Sequence, residues 1–308
     1  MWYARTHKKS GDLSVMGFSN SAHGCSVATL SCSDAAANIS NVPTFDWPTA
    51  SMPSLKLPYA ANEVWNKAEE ERCLAEALTV IKERRSAGKD VAAVIVEPIS
   101  SLEMRFATPA FYKGLRQLAK TEGIPFIVDE TKTGFGQTGK MWGHQHWWLQ
   151  ERDGGCPDMM TFGGKTGISG FFSTYDFRSG PNCPGFEQVV DLTGVMTFGA
   201  TWRHIQKKML LEYVQDTSSF LKIELENCSR DHKAISNVRG LGTAIAFDCV
   251  DPVRTSSMQS WLLKRGIVVA RVGPNTLGLR PALVLGPQHA ANLREAVQNY
   301  HVNHDARN

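Results

Sequence analysis

Apolar positions along this chain fall into short, nearly continuous runs separated by stretches with helical spacing. Val91-Ala92-Ala93-Val94-Ile95-Val96, Ile124-Pro125-Phe126-Ile127-Val128 and residues 159–163 read as strands, and Phe171-Phe172-Ser173 as another short one. Val64, Trp65, Ala68, Cys73, Leu74, Leu78 and Ile81 share one helical face and predict a helix over 63–88, stopped by Gly88. A second helix opens at Thr108-Pro109, with threonine as N-cap and proline in the first turn, and runs to about Glu122. Residues 1–60 carry no such period and read as irregular; Pro43, Pro48, Pro53 and Pro58 exclude long helices there. Residues 180–202 are rich in Gly and Pro and read as loop, ahead of a long helix over about 204–228. The remainder reads as strand 241–248, helix 254–265, strand 267–271 and a last helix near 287–300.

This alternation predicts an α/β fold with a buried, mainly parallel sheet. The change of pattern near residue 203 separates a large domain, 1–203, from a smaller C-terminal α/β domain, 204–308. A length of 308 residues accommodates both, and 42% hydrophobic with 20% charged residues is ordinary for a globular protein. The net charge of +3 is too small and too evenly spread for a nucleic-acid surface. Seven cysteines, an odd number without a CxxC pair, favour a reducing compartment. No apolar run approaches the ~20 residues that span a membrane, and the basic start lacks the apolar segment of a secretory signal. The chain therefore reads as cytoplasmic rather than mitochondrial.

Three of the strands end on chemistry-bearing residues: Glu97, Asp129 and, in Gly163-Gly164-Lys165-Thr166-Gly167, a lysine between glycines. Open α/β sheets place their ligand sites at such C-terminal strand ends. A lysine kept from full hydration loses its proton and forms a Schiff base, and a neighbouring carboxylate holds a protonated ring nitrogen. That combination outlines a pyridoxal-phosphate (PLP) site. Other clusters are weaker. His144-Gln145-His146 with Cys156 lacks a full adjacent ligand set, so no metal is expected. Cys25, beside His23, reads as a buried, inert thiol.

Taken together, Phe45-Asp46-Trp47-Pro48, Val96-Glu97-Pro98-Ile99, Val128-Asp129-Glu130, Gly136-Gln137-Thr138-Gly139-Lys140, Thr201-Trp202, Val238-Arg239-Gly240-Leu241-Gly242-Thr243 and Leu279-Arg280-Pro281 resemble, in order and spacing, the class III, fold-type-I aminotransferases. The resemblance covers most of the chain. It implies a PLP-dependent aminotransferase that moves an amino group from an amino donor (4-aminobutyrate-like or another specialised amine) to a keto acid such as 2-oxoglutarate, working as a homodimer. By position, Lys165 resembles the lysine that carries PLP, and Asp129 the aspartate that pairs with its ring nitrogen. Glu97 and Arg280 match a gate in which the arginine alternates between the glutamate and a substrate carboxylate. Thr201 matches a threonine that reaches the cofactor phosphate across the dimer interface.

The same comparison marks departures. The family's large domain begins before the segment matching residue 1, and that earlier part holds the loop that cradles the phosphate. An aromatic-His-Gly-Arg run is expected where this chain has Ala22-His23-Gly24-Cys25, which keeps His23 and Gly24 but replaces the ring-stacking aromatic and a carboxylate-binding arginine. A second basic residue that the family would carry shortly after is replaced within Ala35-Ala36-Ala37. Thr131-Lys132 stands for the usual Val-Gln: Thr131 keeps the β-branched shape, and Lys132 retains a donor for the cofactor's 3′-oxygen. Two alternatives follow: another PLP reaction on the same fold, such as racemisation or decarboxylation, or a catalytically impaired paralogue that pairs with a complete subunit.

Overall fold

The computed structural model describes residues 2–8, 11–34, 41–149, 155–177, 191–232 and 235–305. These divide into two compact units. One comprises Met1–Ser100, Phe106–Lys132 and His144–Arg203; the other comprises Ser101–Arg105, Thr133–Gly143 and His204–Asn308.

The first unit is built on a six-stranded sheet. β1 (Ser14–Phe18), β2 (Thr49–Ala50), β3 (Val91–Val96), β4 (Phe126–Asp129), β5 (Met159–Phe162) and β6 (Gly170–Ser173) lie in the order β2-β1-β3-β4-β5-β6. All neighbours are parallel except β6, which runs antiparallel to β5. The continuous apolar runs are explained by burial on both faces: Val94, Val96, Phe126 and Val128 are all but inaccessible. α3 (Glu63–Ser86) and α4 (Pro109–Thr121) contribute Cys73, Ala77, Ile81, Phe111, Tyr112 and Leu115 to the same core. Tyr112 stacks on Trp147 at 3.9 Å between centroids, and its hydroxyl donates to the Pro98 carbonyl. Two shorter helices, α1 (Trp2–His7) and α2 (Val27–Ser31), flank β1 in the chain.

Residues 1–60 are thus not irregular throughout. β1 is a central strand whose five residues, interrupted by Gly17, are too few to establish a period. The segment expected to be loop up to residue 202 also differs. Residues 178–190 lie outside the described residues, but α5 spans Leu192–Lys207. Its two glycines and several β-branched residues give poor helix propensity. Its pattern therefore read as loop.

The second unit carries α6 (Leu210–His232) and a four-stranded antiparallel sheet, β7 (Ile235–Leu241), β8 (Ala244–Cys249), β9 (Ala270–Arg271) and β10 (Thr276–Leu279), in the order β7-β8-β10-β9. The strand expected over 241–248 is found as β8, and the preceding β7, not expected, pairs with it in a hairpin that reverses at Gly242-Thr243. α7 (Pro252–Leu263) starts at Asp251, whose side chain caps the Arg254 N–H, and α8 (Pro287–Asp305) closes the chain. Leu221, Leu225, Phe247, Met258, Leu262, Leu277, Leu293 and Tyr300 form this unit's own core.

Candidate active site

Strand register decides which side chains meet. Val96 pairs with Val128, so Glu97 and Asp129 leave β3 and β4 side by side; Asp129 in turn pairs with Thr161 of β5. Three parallel strands therefore end on one edge of the sheet, with Glu97, Asp129 and the loop carrying Lys165 in sequence across it.

Asp129 is buried and fully engaged on one oxygen. Its Oδ1 accepts from the Thr131 N–H at 3.0 Å, the Thr131 hydroxyl at 2.6 Å and the Thr161 hydroxyl at 3.0 Å. Its Oδ2 lies 2.8 Å from His23 Nδ1, with both side chains about 1–2% exposed. Burial pushes this carboxyl's pKa up, but the hydrogen bonds and charge of His23 and the two bonds from Thr131 outweigh it and hold the pKa below the ordinary aspartate value. An ionised Asp129 fixes the proton on His23 Nδ1, so that Nδ1 donates. His23 Nε2 is buried with no hydrogen-bond partner among the described residues. Thr161 was not singled out in the sequence; only the pairing of β4 with β5 places its hydroxyl on Asp129.

The segment bearing His23 is held by its main chain. The His23 N–H donates to Ser33 Oγ at 2.8 Å, and the Ala22 N–H donates to Glu97 Oε2 at 3.2 Å. Gly24 is exposed with φ +135°, a conformation other residues rarely adopt, and a Cβ there would sit 2.9 Å from Thr29 Oγ1. Cys25 is exposed, not buried as expected, because the chain turns outward at Gly24 toward the Ser26 cap of α2. The nearby Cys32 is the buried thiol, its pKa pushed by burial up to about 11. Ala35-Ala36-Ala37 lies outside the described residues.

Lys132 does something the sequence did not suggest. Its ammonium donates to the Ala22 carbonyl at 2.7 Å and pairs with Glu97 Oε1 at 3.3 Å. Glu97, only 3% exposed at its side chain, thereby has a counter-ion within its own unit. Thr131, the β-branched residue before it, donates its hydroxyl to Asp129.

Lys165 occupies a turn closed by the Gly167 N–H on the Gly164 carbonyl at 3.3 Å. Gly164 has φ +79° and lies against the Thr131 carbonyl, which a Cβ would approach to 3.3 Å. The turn is thus pinned beside the Asp129 loop. Lys165 itself is exposed. The shelter expected for it is not provided by its glycine neighbours, which have no side chains to cover it. α5 meets this turn at Gly167, where a Cβ would stand 3.6 Å from Thr197 Cγ2. Thr201, half-buried, lies one helical turn further along α5. Arg280 follows β10 in the second unit and is half-buried. His144 is in a 3-10 turn, and its Nδ1 lies 2.8 Å from buried Glu130 Oε1. No group of three or more metal-ligating side chains occurs among the described residues, and no described helix is long and apolar enough to cross a membrane.

The family model for class-III aminotransferases matches residues 1–181 and 190–300. The chain belongs to this family. It is 35% identical over 284 residues to a 4-aminobutyrate aminotransferase of Dictyostelium discoideum, covering 91% of this chain and 56% of that protein. It is 36% identical over 302 residues to one from Emericella nidulans, covering 94% and 57%. A pig relative at 33% identity, described as mitochondrial, is matched over 91% of this chain and 56% of its own length. The chain thus spans little more than half the length of these relatives. Among solved structures, a lysine aminotransferase from M. tuberculosis superimposes with TM-score 0.85 at 23% identity, covering 97% of this chain and 70% of that one. A transaminase from the marine bacterium Virgibacillus does so with TM-score 0.81 at 18% identity, covering 98% and 70%. The α/β fold is that of the aminotransferases.

Proposed function

We propose that this chain provides the catalytic half-site of a PLP-dependent aminotransferase, taking an amino group from an amine donor and giving it to a keto acid such as 2-oxoglutarate. The observation that carries this reading is the buried Asp129, kept ionised by His23 and Thr131, on the same strand edge as the Lys165 turn. Asp129 fits a pyridinium: Oδ1 is saturated, while Oδ2 accepts from His23 alone among the described residues and has a lone pair left.

When bound, PLP supplies an electron-withdrawing ring that stabilises the carbanion left by proton loss from the substrate. The chain's own residues supply the rest. Asp129 accepts a hydrogen bond from the ring N–H and, being ionised, keeps that proton in place. The Lys165 amine would hold the cofactor and, when free, would serve as the base that moves the substrate's proton. Thr201 would supply a hydroxyl donor for the phosphate, His23 and Gly24 would help hold the cofactor, and Arg280 would bind a substrate carboxylate through its planar fork. Glu97 stands at the same strand edge as Asp129. Cys25 stands where the resemblance expects an arginine, which favours a donor other than 4-aminobutyrate itself, such as a specialised amine without that carboxylate. A homodimer in the cytoplasm completes the reading; the odd cysteine count supports a reducing compartment.

Purified protein mixed with PLP should develop a visible absorption band, and borohydride should fix the cofactor mass on the peptide containing Lys165. Lys165→Ala should lose both signals. Wild-type protein that gains neither would overturn the reading. Glutamate formed from 2-oxoglutarate, with a panel of amines as donors, then identifies the donor.

A further inference from the structure

Glu97, Lys132 and Ala22 close a ring of three contacts. The Lys132 ammonium bridges Glu97 Oε1 and the Ala22 carbonyl, and the Ala22 N–H returns to Glu97 Oε2. The glutamate comes from the end of β3, the lysine from the loop after β4, and the alanine from the segment after β1. Ala22 immediately precedes His23, the residue that holds Asp129. We propose that Lys132 is a positioning residue: by clamping the Ala22 main chain to Glu97, it sets His23 so that Nδ1 reaches Asp129.

Three features support this. The clamp grips both polar groups of Ala22, leaving that residue little freedom to rotate, and one side of the grip is a charge-assisted bond of 2.7 Å. Beyond His23 the chain turns away at Gly24, which is exposed, so restraint of the imidazole comes from the Ala22 side and from Ser33 Oγ on the His23 N–H. Thr131 and Lys132 are adjacent in one loop, the first binding Asp129 directly and the second holding its histidine. The loop thus orders the aspartate from both ends. Removal of the ammonium frees the Ala22 carbonyl and leaves the Glu97 carboxylate buried without its lysine.

The test is made on the protein without cofactor, and its outcome is therefore independent of the reading of function above. In protein with 15N-labelled histidine, the His23 ring signals, assigned through His23→Gln, should show Nδ1 protonated in the wild type. Lys132→Met should shift them toward the mixed tautomers of a mobile imidazole, and Lys132→Arg, which still donates to both acceptors, should restore the wild-type pattern. Lys132→Gln retains one donor for the Ala22 carbonyl and should fall between them, carrying the test should the methionine variant fail to fold. Unchanged His23 signals in folded Lys132→Met or Lys132→Gln would overturn the proposal, as would failure of arginine to rescue. In a second arm, PLP affinity should drop about tenfold in Lys132→Met, the effect of losing one charged hydrogen bond's worth of order. If the ring signals shift while even the wild type binds no PLP, the functional reading fails and the positioning role stands.

Discussion

Asp129 is a buried carboxylate held by His23, Thr131 and Thr161, and its ionisation has a measurable sign. Its folded pKa is depressed because the His23 and Thr131 contacts outweigh burial. Such a group stabilises the fold fully above its unfolded pKa of about 3.9, and that stabilisation disappears as pH falls through the lower folded value. Asp129→Asn removes the charge and presents an amide N–H or a neutral oxygen to His23. Its cost at pH 7 should be about 1.5–3 kcal/mol, the range for hydrogen bonds to charged groups. Urea titrations at descending pH should show the gap between variant and wild type narrowing below pH 4; a gap independent of pH would mean that Asp129 is not ionised. The aspartate was legible in the sequence because a buried apolar run ended on it. Its ligands were not: Thr161 and His23 lie 32 and 106 residues away, and only strand pairing and the fold of the first segment bring them to it.

Among the elements, β4 and β5 set the reach between Asp129 and the Lys165 turn, and their start is fixed by a fork. Arg116 of α4 donates through both terminal nitrogens to Asp158, at 2.7 and 2.8 Å, and Asp158 Oδ2 also receives the Phe126 N–H at 2.8 Å. This one carboxylate thus joins helix, β4 and the residue preceding β5. Asp158→Ala should cost about 2–4 kcal/mol, since it removes the shared acceptor of a mostly buried guanidinium and a strand N–H. Thermal unfolding should read this loss, and a midpoint within a degree of wild type would show the fork to be ornamental. What the sequence disclosed at this scale followed the strength of local patterning. β3, α3 and α4 lie within about two residues of their expected bounds because continuous burial, a proline start and a glycine stop all agree. β1 was hidden by its brevity, α5 by its glycines and β-branched residues, and β7 by the polar Ser236, Asn237 and Arg239 that interrupt it. The clamp on Ala22 was invisible for another reason: a lysine's partner is decided by tertiary approach.

At the scale of the whole molecule, the helix that meets the Lys165 turn carries several exposed apolar side chains. Leu192, Val195 and Met196 of α5 project from the helix, Met196 being 75% exposed, and Phe172 on the edge strand β6 is 56% exposed. Apolar groups gathered in this way mark association surfaces. The helix that carries them also carries Thr201, so a partner copy seated there would bring its own Thr201 close to this surface. The homodimer proposed above therefore makes a specific demand: Lys165 of one copy and Thr201 of the other serve one cofactor. Met196→Glu should convert a species sedimenting near twice 34.0 kDa into one near that mass, and weaken PLP binding with it. The sharper test mixes Lys165→Ala subunits with Thr201→Ala subunits after reversible dissociation. In a heterodimer one site lacks both groups and the other has both intact, so random pairing should restore about a quarter of the sites to borohydride-fixable PLP. If the threonine serves the lysine of its own chain, each chain lacks one essential group and mixing restores none. A recovery of zero would therefore overturn the shared site while leaving dimerisation itself to be read from the sedimentation of the wild type.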